Sequence, residues 1–359
     1  MSLTRESALN ALRTVKDPEL HKDLVTLNMV KEIRIDATAI DVTIELTSPV
    51  SPTKDIIVRD VTNALRGAGA VDVKVNFSSQ ARGTGQQNAP QNAQQNPQKT
   101  PQKNLPQVKN VIAVGAGKGG VGKSTVAVNL AVGLQRAGAT VGLMDGDIYG
   151  PSLPTMLGIK GSVPKVNANK ILPFHVHGIH AVTIGALVEP DKPLIWRGPM
   201  AHGAFKQLLL DNTDWPALDY LIVDLPPGTG DVSLTLCQLL QLTGAVVVAT
   251  PQQVALDDAI RAVRMFQQLG APILGMIENM SGDIFGRGGA EEAAAANGLA
   301  FLGRIDLHTE LRINSDAGRP HSNYETNPAL KASLEHIVST LVGEVSKRNM
   351  MSLPVIEGF

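Results

Sequence analysis

Residues 115–125 read GAGKGGVGKST, and the fold of the larger part of the chain turns on which of two phosphate-binding patterns they spell. Gly115, Gly117 and Gly120 satisfy G-x-G-x-x-G, the pyrophosphate turn of dinucleotide-binding proteins. Gly117, Gly122, Lys123 and Ser124 satisfy G-x-x-x-x-G-K-[ST], the loop that cradles nucleoside triphosphates. In both, glycine lets the backbone approach phosphate oxygens while N–H groups and a helix N-terminus supply positive potential. The difference lies after the last glycine. A pyrophosphate turn has no use for a lysine followed by a hydroxyl, whereas a triphosphate loop needs Lys123 on the β- and γ-phosphates and Ser124 on Mg²⁺. The triphosphate loop also requires a later strand that ends in an acid, and LDYLIVDLPPGTGD supplies it: Asp224 closes an apolar run and precedes a turn rich in Pro and Gly. Asp224 alone could cap a helix; paired with the glycine loop, it selects the P-loop reading.

Outward from the loop, apolar runs alternate with helical patterns from Val108 onward. NVIAVGA, ATVGLMD, YLIVDLPP, GAVVVAT and PILGMIENM are short and apolar, as parallel strands covered on both faces should be. KSTVAVNLAVGLQRAG, DVSLTLCQLLQL and ALDDAIRAVRMFQQLG between them have helical spacing. The fold expected is a doubly wound, mostly parallel α/β domain over 108–350, with ligands beyond the carboxyl ends of its strands, followed by a tail at 351–359. Residues 1–78 read as a small α/β unit: ESALNALRTV is helical, MVKEIRI, IDVTIEL and VDVKVNF alternate as strands, and IIVRDVTNALRGAG is a helix stopped by glycine. Residues 79–107, dominated by Gln, Asn and Pro, hold almost nothing that could be buried and read as a disordered tether.

Composition narrows the function. The chain has 359 residues and a formal net charge of −1, so no global charge favours nucleic acid, and no nucleic-acid partner is expected. No apolar run is long enough to span a bilayer, and the first residues lack the apolar core of a signal peptide, so a cytoplasmic protein is expected. A single cysteine, Cys237, excludes an intrachain disulfide and any multi-cysteine metal site within one chain.

GKGGVGKST resembles the deviant Walker A loop of the MinD/ParA/nitrogenase-iron-protein ATPases. DGDIYGPSLPTMLG, PLIWRGPM, DYLIVDLPPGTGD, IFGRGGAEEAA and LGRIDLHTELRINSDAGRP together look like the Mrp/ApbC family, ATP-hydrolysing iron–sulfur cluster carriers. VKDPELHKDLVTLNMV is similar to the small iron–sulfur-assembly domain often fused ahead of them. The resemblance implies a homodimeric Mg²⁺-ATPase that serves iron–sulfur scaffold or client apoproteins. It places ATP on Gly117, Lys118, Gly119, Gly120, Val121, Gly122, Lys123, Ser124 and Thr125, with Lys118 reaching phosphates bound by the partner chain. Mg²⁺ falls to Ser124, Asp145 and Asp224; Asp147 orients water, although either Asp145 or Asp147 could instead cap a helix. Lys118, Lys123, Asp147 and Asp224 form the catalytic set. Gly228, in the PPGTGD switch, senses the γ-phosphate, Asn279 contacts the adenine edge, and Arg197 of the IWRGPM stretch reaches a phosphate or a dimer contact.

The same resemblance implies a [4Fe–4S] cluster bridged by Cys-x-x-Cys loops of two chains. Here ENMSGDIFGRGG passes the expected position with no cysteine, and the CP turn of the fused domain is replaced by TSPVSPTKD, with Val50 and Ser51 ahead of Pro52. Cys237, among leucines in LTLCQLL, reads as a buried small hydrophobe. Two functional readings follow: a cluster carrier or assembly ATPase, and a MinD/ParA-like nucleotide-switched binding or positioning module that carries no cluster. In FHVHGIH, His175, His177 and His180 stand close in sequence, with His175 and His177 expected on one strand face and a surface strand preferred over a metal site. Leu330, Leu334, Ile337, Leu341 and Val345 form one apolar helix face, expected to pack on the ATPase core.

Overall fold

The computed structural model describes residues 4–18, 22–36, 39–46, 54–79, 105–147, 150–168, 170–183, 185, 212–228, 230, 234, 237 and 239–351. It divides into two compact units, Met1–Gly83 with Val342–Phe359, and Thr84–Leu341.

In the smaller unit, α1 (Arg5–Leu12) starts at a capping box in which Thr4 and Ser7 exchange side-chain and backbone hydrogen bonds. Strands β1 (Val30–Asp36) and β2 (Ala39–Leu46) pair antiparallel, and α2 (Lys54–Gly67) crosses over to β3 (Asp72–Ser79), which is parallel to β2. The alternation along β2 buries Ile40, Val42 and Ile44, and helical spacing along α2 buries Ile57, Val61 and Leu65 in the same cluster. Every element expected here from periodicity is present.

The larger unit is built on an eight-stranded sheet in the order β13-β12-β11-β4-β10-β5-β9-β8. Its strands are β4 (Val108–Gly115), β5 (Val141–Asp145), β8 (Phe174–Val176), β9 (Ile179–Val182), β10 (Leu218–Asp224), β11 (Gly244–Ala249), β12 (Ile273–Ser281) and β13 (Phe301–Asp306). All pairings are parallel except β8 with β9. A ribbon of β6 (Val166–Asn167) and β7 (Lys170–Ile171) stands apart from the sheet. The helices are α3 (Lys123–Arg136), α4 (Leu153–Met156), α5 (Gln253–Gln268), α6 (Gly289–Ala296), α7 (Thr309–Asp316) and α8 (Pro328–Met351), with a 3₁₀ turn at Pro320–Tyr324. Half of the expected helix 231–242 lies outside the described residues, as do Arg197 and the whole IWRGPM stretch; Cys237 is described and buried in the sheet's core cluster. Sequence reading missed β13 and the β8–β9 hairpin, whose strands are too short or too polar to stand out.

Register fixes the site. Asp224 pairs with Val114 on one side and with Asp145 on the other, so the tips of β4, β10 and β5 lie in one row at the carboxyl edge of the sheet. The helix after β4 is held from behind by buried amides. Asn314 donates to Asn323 (3.0 Å), Asn323 to Asn129 of α3 (2.9 Å), and Asn129 to the Thr125 carbonyl (2.8 Å); the Tyr324 hydroxyl donates to the Asn129 carbonyl (2.6 Å). The apolar face of α8 is buried as expected at Leu330, Leu334, Ile337, Leu341 and Val345. Ile337 lies against Gly303 of β13, and Val338 against Gly133 of α3. Truncating Asn323 to Ala strands an amide on each neighbour; at about 1–3 kcal/mol per unsatisfied buried group, urea unfolding should show a loss of about 2–6 kcal/mol.

Candidate functional site: a nucleotide cradle at the sheet edge

The glycine loop joins β4 to α3, and two of its glycines are required by close approach. A Cβ on Gly117 would lie 2.0 Å from the Asp258 carbonyl oxygen of α5. Gly122 has φ +81° and would put a Cβ 2.1 Å from the Asn279 amide nitrogen. Gly122 is also the N-cap of α3 and offers no side-chain cap, so the helix's first N–H groups keep their capacity for an anion. Asn279, at the end of β12, donates its amide to the Val121 carbonyl at 2.8 Å and braces the loop from beneath. The switch segment lies over it: Gly228 N donates to the Ala116 carbonyl (2.9 Å), and Pro227 is the nearest side chain to Gly119.

Lys123, Ser124 and Asp224 meet. Lys123 Nζ donates to Asp224 Oδ1 at 2.5 Å and to Ser124 Oγ at 3.1 Å, with Lys123 and Asp224 both buried. The second oxygen, Asp224 Oδ2, is buried with no hydrogen-bond partner among the described residues. Asp145 accepts from the Thr183 hydroxyl (3.0 Å) and from the Asp147 backbone (3.1 Å). Burial, and then the neighbouring Asp224 carboxylate, push Asp145 up to about 8; the Thr183 and Asp147 hydrogen bonds and Lys123 pull the other way. Burial also raises Asp224, and the Lys123 ammonium opposes it. Asp147 is half-buried; its carboxylate accepts from Gly150 N at 3.2 Å, and α4 begins two turns of chain later at an N-cap of Ser152, so neither acid caps that helix. Lys118 is half-buried and makes no ion pair among the described residues.

The donor set suits a hard divalent cation. Among the described residues no group of three or more His, Cys, Asp or Glu stands together, but Mg²⁺ needs only one or two carboxylates besides phosphate and water. Asp224 Oδ2, orphaned in the interior, and Ser124 Oγ beside it supply that minimum. Thr183, which orients Asp145, belongs to no motif; it is a buried hydroxyl at the end of a short strand and left no signal in the sequence.

The loop after β12, where thiolates would be expected, is closed tightly. Gly282 and Gly286 exchange backbone hydrogen bonds (2.9 and 2.8 Å). The fully buried Glu278 carboxylate accepts from Gly288 N and Ala290 N (both 2.9 Å) and from the Ser281 hydroxyl (2.5 Å), fastening the loop and the start of α6 to the sheet. Cys237 is 2% exposed, and burial pushes its thiol up to about 12. A four-thiolate cluster does not fit the donors of this chain.

Comparison with known proteins settles the family. The profile described as NUBPL iron-transfer P-loop NTPase matches residues 107–342. The chain belongs to that family. Residues 5–77 match the iron–sulfur cluster assembly protein family. The iron–sulfur cluster carrier protein of Synechocystis sp. is 43% identical, covering 96% of this chain and 98% of its own length. That of Deinococcus radiodurans is 44% identical, covering 97% and 98%. Among solved structures, a nucleotide-binding protein of Archaeoglobus fulgidus in complex with ADP is 34% identical, with a TM-score of 0.55 over 63% of this chain and 92% of that one. The cell division ATPase MinD of Pyrococcus furiosus, 22% identical with a TM-score of 0.52 over 64% of this chain and 97% of that one, shares the fold. The mostly parallel P-loop NTPase fold, the small α/β domain ahead of it and the NTPase class all stand, and the carrier family is favoured over the MinD-like positioning module.

The raised Asp145 generates a pH prediction. Its folded value near 8 exceeds the ordinary 3.8, so the unfolded chain releases this proton first, and stability drains as pH climbs between those values, then levels off. Relative to Asp145→Asn, the wild type should therefore lose stability from pH 4 to about pH 8 in thermal melts, and the difference should be flat above that.

Proposed function

We propose that the chain is a cytoplasmic, homodimeric Mg²⁺-ATPase that delivers iron–sulfur clusters to client apoproteins without holding the cluster on thiolates of its own. The observation that carries it is the buried Lys123–Asp224–Ser124 constellation at the mouth of the glycine loop, within a chain alike over nearly its whole length to named cluster carriers. In this reading Gly117, Lys118, Gly119, Gly120, Val121, Gly122, Lys123, Ser124 and Thr125 wrap the phosphates. Lys123 would exchange the Asp224 carboxylate for the β- and γ-phosphates, and Asp224, Ser124 and Asp145 would hold Mg²⁺, which would supply neutralisation of phosphate charge. Asp147, close enough to Asp224 to raise it electrostatically, positions the attacking water. Gly228 follows the γ-phosphate through its bond to Ala116, and Asn279 meets the adenine edge while bracing Val121. Lys118 reaches the partner's phosphates, where a second cation stabilises charge spreading over the transferred group.

The domain division proposed is 1–78 for the assembly-type domain, 79–107 for the tether, 108–350 for the ATPase and 351–359 for the tail. With Cys237 buried and its thiol raised, the cluster is cargo whose sulfur ligands come from the scaffold or client.

Two measurements test this. Lys123→Ala should lower ATP hydrolysis by about a hundredfold or more, while Lys118→Ala should keep nucleotide binding in calorimetry and lose turnover. In an anaerobic mixture of a cluster-loaded scaffold and an apoprotein client, wild type with ATP should speed transfer, Cys237→Ala should match it, and Lys123→Ala should not. Transfer unaffected by the chain, or normal hydrolysis in Lys123→Ala, would sink the assignment.

A further inference from the structure

The histidine segment folds differently from its sequence reading. His177 is not on a strand; with φ 51° it forms the tight turn with Gly178 (φ 71°), and β8 and β9 run back from it antiparallel. His175 and His177 therefore do not share a strand face. Instead His175 of β8 pairs across the strands with His180 of β9, one pair back from the turn. Cross-strand neighbours on one face are the sheet's closest side-chain contacts, and these two rings stand 4.8 Å apart between centroids, tilted by 45°.

The turn that sets this pairing is pinned. His177 Nε2 donates to the Leu157 carbonyl (3.1 Å), and His321 Nε2 donates to the His177 carbonyl (2.9 Å). Those two rings are committed to the backbone. His175 and His180 are not: neither makes a hydrogen bond or an ion pair among the described residues, and between Asp147 and Glu189 the sequence holds no Asp or Glu that could pair with them. His175 is exposed and His180 half-buried, so the pair opens to solvent on one side. Burial, and then the neighbouring His175, hold His180 below its ordinary value, which keeps a neutral nitrogen lone pair available near neutral pH.

Two imidazoles with no side-chain hydrogen bond or ion pair among the described residues, paired across neighbouring strands, match one chemical task. On a tetrahedral ion with metal–nitrogen bonds of about 2.0–2.1 Å, two imidazole centres fall about 5 Å apart, which is the spacing found here. We propose that His175 and His180 form a two-point site for a borderline first-row divalent cation, Zn²⁺ or an imidazole-seeking congener such as Fe²⁺, Co²⁺, Ni²⁺ or Cu²⁺. Among the described residues no third His, Cys, Asp or Glu joins them, so water completes the coordination. Sites with open positions exchange their ion, whereas closed four-ligand sites hold it for structure. Mg²⁺, which demands oxygen ligands, is rejected by two imidazoles. The inference does not rest on the ATPase or carrier assignment, because ion uptake is read directly.

The test uses the full chain, stripped with chelator and titrated with Zn²⁺ by calorimetry, with Cu²⁺ paramagnetic resonance as a second readout. One Zn²⁺ per chain is expected, undisturbed by excess Mg²⁺, with a Cu²⁺ signal split by two imidazole nitrogens. His175→Asn, an exposed substitution that leaves ATP hydrolysis and the circular dichroism unchanged, should weaken Zn²⁺ by more than about tenfold, the least that losing even an outer-shell partner costs. His180→Asn should do the same, and His336→Asn should not. Zn²⁺ affinity unchanged in His175→Asn, or no uptake by the wild type, overturns the site.

Discussion

A buried ammonium and a buried carboxylate hold the centre of this molecule together. Lys123 opens α3 and Asp224 ends β10, so their bond ties the glycine loop to the middle of the sheet. Such a pair contributes little net stability, because desolvating two charges roughly cancels their attraction, yet removing one partner strands the other at a cost of about 3–5 kcal/mol. Its value is chemical. In the function proposed above the lysine that neutralises Asp224 exchanges it for phosphate, and the carboxylate, whose second oxygen has no partner among the described residues, exchanges lysine for a cation. On that proposal each ligand releases the partner the other needs, so their binding is interdependent.

Everything around the pair keeps the cradle from drifting. The loop is wedged against the α5 backbone at Gly117 and against Asn279 at Gly122, with no room for a Cβ at either. From behind, the asparagine chain from α7 through the 3₁₀ turn to α3 fixes the helix whose N-terminus faces the phosphates. From beside, Thr183 aims Asp145. On β12, Asn279 grips the loop while its neighbour Glu278 grips the start of α6, so one strand end carries both the nucleotide loop and the segment where relatives of the resembled type place cysteines.

That segment is where the chain departs from its family's chemistry. It contains no cysteine, and the one thiol elsewhere is buried with its proton held tightly. Membership in an iron-transfer family and absence of thiolates are compatible only if the cluster's sulfur ligands belong to other molecules, or if other side chains meet the metal.

The sequence alone determined the P-loop, because spacing such as Gly117, Gly122, Lys123 and Ser124 is a local rule: the chemistry of phosphate binding is written within one turn of chain. It also determined the small unit's elements and the apolar face of α8, since periods of two and of 3.6 record burial directly. Only the tertiary structure decided what depends on register between distant strands. That Asp224 lies between Val114 and Asp145 and that Thr183 bonds Asp145 follow from pairings between segments tens of residues apart, while His175 pairs with His180, rather than sharing a face with His177, through a local hairpin. Two left-handed turn residues, His177 and Gly178, reverse the chain there, and periodicity cannot foresee a reversal set by backbone dihedrals.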